Sequence, residues 1–469
     1  SWSAPATPGT VRRPAGSRRP GTPTRTATTP GPPASGRRCG SSRCRPRSAS
    51  SARGSPPILC SHSFHVDLPV TGNLPGHRVR AVLDDEHGEV ASASARADLD
   101  LCPRLVLTVP EDRVRTWSPA DPHLYGLRLQ ILDATGGVVD EATSYAGLRS
   151  VAIHGKRVLL NGEPVFQRLV LDQGYYPDGL MTAPTDADLA RDIELGLRAG
   201  FNGARLHQKV FEERYLYHAD RLGYLVWGEF GDWGCETGVR DDNQRPDASY
   251  VAQWLEALER DHSHPSVIGW CPLNETYQNL HDRITPLDDV TRAMFLATKQ
   301  ADPSRPVIDA SGYAHRVPET DVYDSHSYEQ DPEVFARTMA GLAEDRPYVN
   351  TAPDGRDWSV PYRGQPYFCS EFGGIWWDAA VAATAAGDER GTSWGYGERP
   401  RTAEEFLTRF TGLIDVLLDD PDMFGYCYTQ LTDVFQERNG VYGFDRAEKF
   451  DTAVLRGAQQ RRAACESGG

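Results

Sequence analysis

Two glutamates close apolar runs where they could do chemistry. Glu275 ends HPSVIGWCPLNE (264–275), directly after Asn274, and Glu371 ends QPYFCSE (365–371), directly before Phe372-Gly373-Gly374. Each run reads as a short strand carrying a carboxylate at its C-terminal end. Glycosidic-bond cleavage needs such a pair: one acid protonates the leaving oxygen, and the other attacks, or activates water, from the opposite face of the sugar. Taken singly, each glutamate is more simply a salt-bridge partner. Together, both beside aromatic and apolar residues, they are poorly explained by packing.

The flanking sequence supplies elements to hold them. From about 151, short apolar strands alternate with helical patterns, which predicts parallel βα units. Strands are expected at 165–171, 201–207, 224–230, 266–273, 306–311, 321–328, 366–372 and 423–431. Helices are expected at about 185–199, 211–221, 248–262, 286–301, 402–419 and 446–463. Thr185 and Asp186 open the first as cap and first-turn acid. Eight strands over this length predict a (β/α)8 barrel spanning 151–469, whose polar strand ends face the active site. A doubly wound sheet is the alternative, but no G-x-G-x-x-G or P-loop opens a helix. Read from the strand ends, the candidates are Arg205, His207, Glu229, Asn274, Glu275, His326, Tyr328, Glu371 and Tyr428. Trp377 and Trp394, in a Gly-rich stretch after Glu371, are the favoured sugar-stacking aromatics, since sugar C–H faces pack on indole rings. For His207 and His326, binding sugar hydroxyls and a structural role weigh equally.

Residues 59–150 read differently. Alternating runs at 64–70, 77–85, 104–110, 124–133 and 138–148, separated by Gly- and Asp-rich turns, predict an immunoglobulin-like β-sandwich. Residues 1–58 hold 11 Arg but no Asp, Glu or Lys. They read as a disordered low-complexity tail or an out-of-frame start, and less readily as a basic arm for nucleic acid.

The 469 residues carry a formal charge of −15, and the part after residue 58 carries 39 Lys and Arg against 65 acids. So acidic a body argues against a nucleic-acid partner. No apolar run is long enough to span a bilayer, and residues 1–30 lack the apolar middle of a secretory signal. The nine Cys include no C-x-x-C, and Cys271, Cys369 and Cys427 lie in apolar strands. That usage fits a reducing, cytoplasmic setting. Quaternary state stays open, a homo-oligomer included.

The segments GLRSVAIHGKRVLLNGEPVFQR (147–168), GFNGARLH (200–207), HPSVIGWCPLNE (264–275) and SEFGG (370–374) resemble glycoside hydrolase family 2, which includes retaining β-galactosidases, β-glucuronidases and β-mannosidases. The resemblance implies Glu275 as general acid/base, Glu371 as nucleophile, Asn274 on the sugar 2-hydroxyl, Arg205 beside the nucleophile, and Tyr328 hydrogen-bonded to it. It implies a carbohydrate substrate. Some relatives bind magnesium, but no clean carboxylate cluster is visible here, so neither metal nor cofactor is expected. Tyr428 stands where many relatives carry Trp. The family's N-terminal jelly roll would fall where the 58-residue tail lies, so that domain is expected to be missing. A non-catalytic carbohydrate-binding relative is therefore the alternative. Glu437-Arg438-Asn439-Gly440 lacks the lysine that marks the glucuronidase branch, and a β-galactoside is favoured over a β-glucuronide or β-mannoside.

Overall fold

A computed structural model describes residues 53–58, 61–232, 235–236, 246–277, 286–379 and 393–466. The expectations for 1–52 lie outside these residues.

The sandwich pairs two antiparallel sheets. One holds Arg53–Ile58, Ser63–Asp67 and Arg104–Thr108; the other runs Gly88–Arg96, Arg78–Asp85, Tyr125–Leu132, Val138–Ala146. Alternation builds its core: Leu105 and Leu107 are buried while Arg104, Val106 and Thr108 are exposed. Two features differ from expectation. Arg53–Ile58 pairs with Ser63–Asp67, so the sheet begins inside the stretch assigned to the tail. Gly88–Arg96 was not foreseen as a strand. It is an edge strand rich in Ala and Ser that buries little, and among the described residues it pairs with Arg78–Asp85 alone.

The second unit is a (β/α)8 barrel. Parallel strands Gln167–Asp172, Gly203–Leu206, Leu225–Glu229 and Val267–Cys271 run one way round. Met423–Thr429, Tyr367–Gly373 and Tyr323–Ser327 run the other way from Gln167–Asp172. The eighth position belongs to 306–311, strand five. It forms isolated bridges, Trp270 to Val307 and Asn274 to Ser311, instead of a regular ladder. On its other side the amide of Asp321 reaches Val307 O at 3.1 Å.

Helix signals acted as read. Thr185 caps Asp186–Ala199, and Gly200 ends that helix in the left-handed region at φ 99°. The expected helix at 446–463 shrinks to Thr452–Gln459, and an unforeseen one, Pro332–Met339, follows strand six. The hairpin 151–160 was expected within the barrel. Its Val151, Val158 and Leu160 line a small space with Gln167, Leu225 and Ile268, at the N-terminal end of the barrel strands.

The sandwich grips the barrel just before strand four. Buried Arg149 donates to Pro265 O at 2.9 Å and Val267 O at 2.8 Å, and Trp117 Nε1 donates to Asp220 O at 2.7 Å. The Arg149 bonds fix the base of strand Val267–Cys271, which leads to Asn274 and Glu275. Inside the barrel, Trp227 fills the lumen against Phe368. Gly269 makes room for it, because a Cβ there would lie 2.5 Å from the indole.

Candidate active site

Strand two turns Arg205 into the lumen, where it is fully buried. A buried guanidinium must find partners for its five donors. Nε donates to Glu229, Nη1 to Ser370 O at 2.9 Å, and Nη2 to Asn274 Oδ1 at 2.6 Å. One cation thus ties strands two, three, four and seven together. Burial pushes the Glu229 carboxyl up, but Arg205 and His207 overcome this and hold it near about 2.

Arg205 Nη1 also lies 3.1 Å from Glu371 Oε1. The other oxygen, Oε2, accepts from the Tyr328 hydroxyl and sits 3.4 Å from His326 Nδ1. Burial favours the neutral acid at Glu371. His326, Arg205, His207 and the Tyr328 hydroxyl outweigh it and keep the group below the ordinary carboxylate range. Glu371 is therefore held as an anion.

Glu275 follows strand four with φ 49°, left-handed backbone that costs a non-glycine residue about 1–3 kcal/mol. Its neighbours enforce that turn. Glu275 N donates to Ser311 O at 2.9 Å, while Asn274 N and Thr276 Oγ1 donate to Asp232 at 3.0 and 2.5 Å. The Glu275 side chain is 27% exposed, against 5% for Glu371, and its Oε1 meets His326 Nδ1 at 2.7 Å. Glu275, His326 and Glu371 place one ligand-type atom each within 4.8 Å of one another. Within this trio His326 Nδ1 lies against an oxygen of each carboxylate, 2.7 Å from Glu275 and 3.4 Å from Glu371.

The fold therefore gathers Glu275, Glu371, Asn274, Arg205, His207, His326 and Tyr328 at one mouth. Half-buried Trp394 stands edge-on to Tyr396 at 5.9 Å, and Tyr396 stacks on Tyr328 at 3.5 Å with planes 3° apart. Two expectations are corrected. Trp377 is a core residue, packed on Phe406 and Phe450 at 6.4 and 5.8 Å. Tyr428 is buried against Phe372 and Phe410, facing the helix layer. Strand alternation explains this: Thr429 faces inward, its hydroxyl 3.3 Å from that of Tyr328, so residue 428 faces outward.

Sequence reasoning missed one aromatic cluster, and of a second, polar group it saw only Glu437 and Asn439, not their partners Gln173 and Gln430. Tyr277, Tyr313 and Trp358 form a half-buried aromatic cluster on the Glu275 side, with Tyr313 also 5.7 Å from His326. Only the position of Tyr277 just after Glu275 hinted at it. Gln173, Gln430, Asn439 and Glu437 form a hydrogen-bonded set, brought together by loops after strands one and eight.

Residues 59–149 match the family model for glycosyl hydrolases family 2, and residues 151–351 match that family's TIM barrel domain. The chain belongs to glycosyl hydrolases family 2. Among this family 2 chain's relatives, a beta-galactosidase from Aeromonas hydrophila is 33% identical over 217 residues, covering 44% of this chain and 20% of the relative. A beta-glucuronidase from Paenibacillus borealis is 26% identical over 252 residues, covering 52% of this chain and 40% of the relative. The chain thus spans well under half the length of these curated relatives. The apo b-glucuronidase from Ruminococcus gnavus superposes with TM-score 0.66 at 21% identity, over 87% of this chain and 67% of that one. At that identity the likeness bears on fold alone. No described helix is long and apolar enough to cross a membrane.

Proposed function

We propose that this chain is a retaining, exo-acting β-glycosidase working by double displacement. Glu371 is the nucleophile: it is buried, anionic and aimed by Tyr328 and Arg205. Glu275 is the acid/base, the more exposed of the two and set on a strained turn. One observation carries the reading. A Glu275 oxygen and a Glu371 oxygen lie within 4.8 Å of each other. Retaining enzymes hold their carboxyl groups about 5–5.5 Å apart, whereas inverting enzymes leave room for a water at about 6.5–9.5 Å.

In the first step Glu371 attacks the anomeric carbon while Glu275 protonates the departing oxygen. In the second, Glu275 takes a proton from water, which displaces Glu371. Asn274 Nδ2 is available to the sugar 2-hydroxyl. The stacked Tyr328–Tyr396 pair with Trp394, and the Tyr277–Tyr313–Trp358 cluster, offer aromatic walls.

The substrate is a terminal neutral sugar, with a β-galactoside favoured. The beta-galactosidase relatives support this, as does Glu437. Burial pushes the Glu437 carboxyl up to about 7 against its Asn439 and Gln173 hydrogen bonds; once ionised, above that pH, it accepts sugar hydroxyls and repels a uronate. A nitrophenyl-glycoside panel tests the activity; no release from any sugar by folded protein would favour a non-catalytic carbohydrate binder. Trapping with a 2-fluoro sugar tests the mechanism. Wild-type protein is expected to gain one covalent sugar and Glu371→Gln none, and label surviving that change would move the nucleophile elsewhere.

A further inference from the structure

His326 lies between the two glutamates and at the end of a buried chain of polar groups. Its Nδ1 is 2.7 Å from Glu275 Oε1 and 3.4 Å from Glu371 Oε2. Its Nε2 is 3.2 Å from Ser311 Oγ, which donates to Asp324 Oδ2 at 2.7 Å. Asp324 Oδ1 is 3.0 Å from His315 Nε2, and His315 Nδ1 is 2.8 Å from Asp309 Oδ1. His326, Ser311, Asp324, His315 and Asp309 are all buried. Gly312 completes the seat: a Cβ there would lie 2.4 Å from the His326 ring.

The hydrogen-bond bookkeeping restricts the ring's protonation. Nδ1 faces carboxylate oxygens only, so with both glutamates ionised it must carry hydrogen. The Ser311 proton goes to Asp324, which leaves the Ser311 oxygen as an acceptor for an Nε2 hydrogen. Arg205 Nη1, which can only donate, also lies 3.4 Å from Nε2, but the Ser311 oxygen is nearer at 3.2 Å; with Nε2–H on Ser311 and Nδ1–H between the two acids, the ring is an imidazolium. The charged groups facing it agree. Glu275 after strand four, Glu371 on strand seven and, through Ser311, Asp324 on its own strand are acids. Arg205 on strand two, 3.4 Å from Nε2, is the opposing cation, and Tyr313 contributes a ring edge. Burial depresses His326, but Glu371 and Glu275 outweigh it and raise the ring above its ordinary range.

We propose that His326 is a positioning residue that stores the proton Glu275 delivers to the leaving oxygen. The inference rests on the double-displacement reading above. When sugar binds, the Nδ1–H bond breaks and an O–H bond forms on Glu275. The ring becomes neutral, keeping its Nε2 hydrogen on Ser311. Glu275 then passes that proton to the departing oxygen as Glu371 bonds to the anomeric carbon. In the second step Glu275 removes a proton from the attacking water and returns it to Nδ1, so the cycle closes with no net proton gained or lost by the pair. The buried Asp324–His315–Asp309 chain holds Ser311, and hence the ring, in the acceptor geometry this requires.

The test is the pH profile of kcat/KM for wild type, His326→Gln and Ser311→Ala, each on substrates with good and poor leaving groups. In wild type the alkaline limb reports loss of the proton shared by His326 and Glu275. His326→Gln is expected to move that limb down by about one pH unit, because Glu275 must then hold the proton alone. It should also slow poor leaving groups about 30-fold more than good ones. Ser311→Ala removes a hydroxyl that touches neither glutamate and keeps the carbonyl that accepts from Glu275 N; it should move the limb the same way by a smaller step, and it keeps the test open if His326→Gln does not fold. Active variants whose limb stays in place, with equal losses on all leaving groups, overturn the proton store and leave double displacement standing. Folded wild-type protein that cleaves no glycoside overturns both.

Discussion

Asn274 gives its side-chain oxygen to Arg205 at 2.6 Å while its buried Nδ2 has no hydrogen-bond partner among the described residues. Arginine only donates, so the oxygen must face it and the amide nitrogen must face the cleft. A buried donor without a partner costs about 1–3 kcal/mol, and a sugar hydroxyl would relieve that cost. A substrate lacking its 2-hydroxyl is therefore expected to lose about 100-fold or more in kcat/KM. Comparing matched nitrophenyl sugars checks this, and equal rates would remove Asn274 from that role.

Glu275→Ala should separate substrates by leaving group. Aryl glycosides that depart without a proton should lose less than about tenfold, and poor leaving groups about 100-fold or more. Added azide should rescue the good substrates by attacking the glycosyl-enzyme. Uniform loss across the series would contradict the acid role.

Arg205→Met removes the cation that Glu229, Glu371 and Asn274 share. Breaking a buried pair leaves an uncompensated charge, and the expected cost is about 3–5 kcal/mol. A urea titration reads it as a lowered midpoint. Arg205→Lys should restore little, because a point charge cannot reach several strands at once.

His315, between Asp309 and Asp324, is a source of pH-dependent stability. Burial lowers its pKa, but the two aspartates overcome this and push it up to about 10. A value raised above that of the unfolded chain, about 6.5, contributes stability that is complete below that pH and is lost as pH rises toward 10. Urea midpoints for wild type should therefore fall between about pH 7 and 10. His315→Gln should start lower and flatten that slope, and an unchanged slope would refute the assignment.

Above about pH 7, where Glu437 is ionised, Glu437→Gln should improve the ratio of uronide to neutral-sugar cleavage by about tenfold, the size of a like-charge contact of roughly 1.4 kcal/mol. Paired kcat/KM values on nitrophenyl galactoside and glucuronide measure it. A ratio that does not move would place Glu437 outside the sugar subsite.

The amino-acid sequence by itself determined which residues could form the cleft and which strands carry them. Apolar runs bounded by turn signals mark barrel strands, and polar residues at their ends must gather at one rim once the sheet closes. Arg205, Asn274, Glu275, His326, Tyr328 and Glu371 were legible for that reason. Side-chain direction was not. Tyr428 and Thr429 are neighbours at one strand end, and only the register that turns Thr429 toward Tyr328 sends Tyr428 outward. Trp377 looked like a cleft aromatic because it follows Glu371, yet Phe406 and Phe450, distant in sequence, claim it for the core. The Gly88–Arg96 strand carries too little apolar alternation to be read locally, and exists because Arg78–Asp85 offers an open edge. The His326 bridge was decided at the same level. A histidine's partners come from every strand packed around it, so its charge and role follow from distances in three dimensions that no linear spacing encodes.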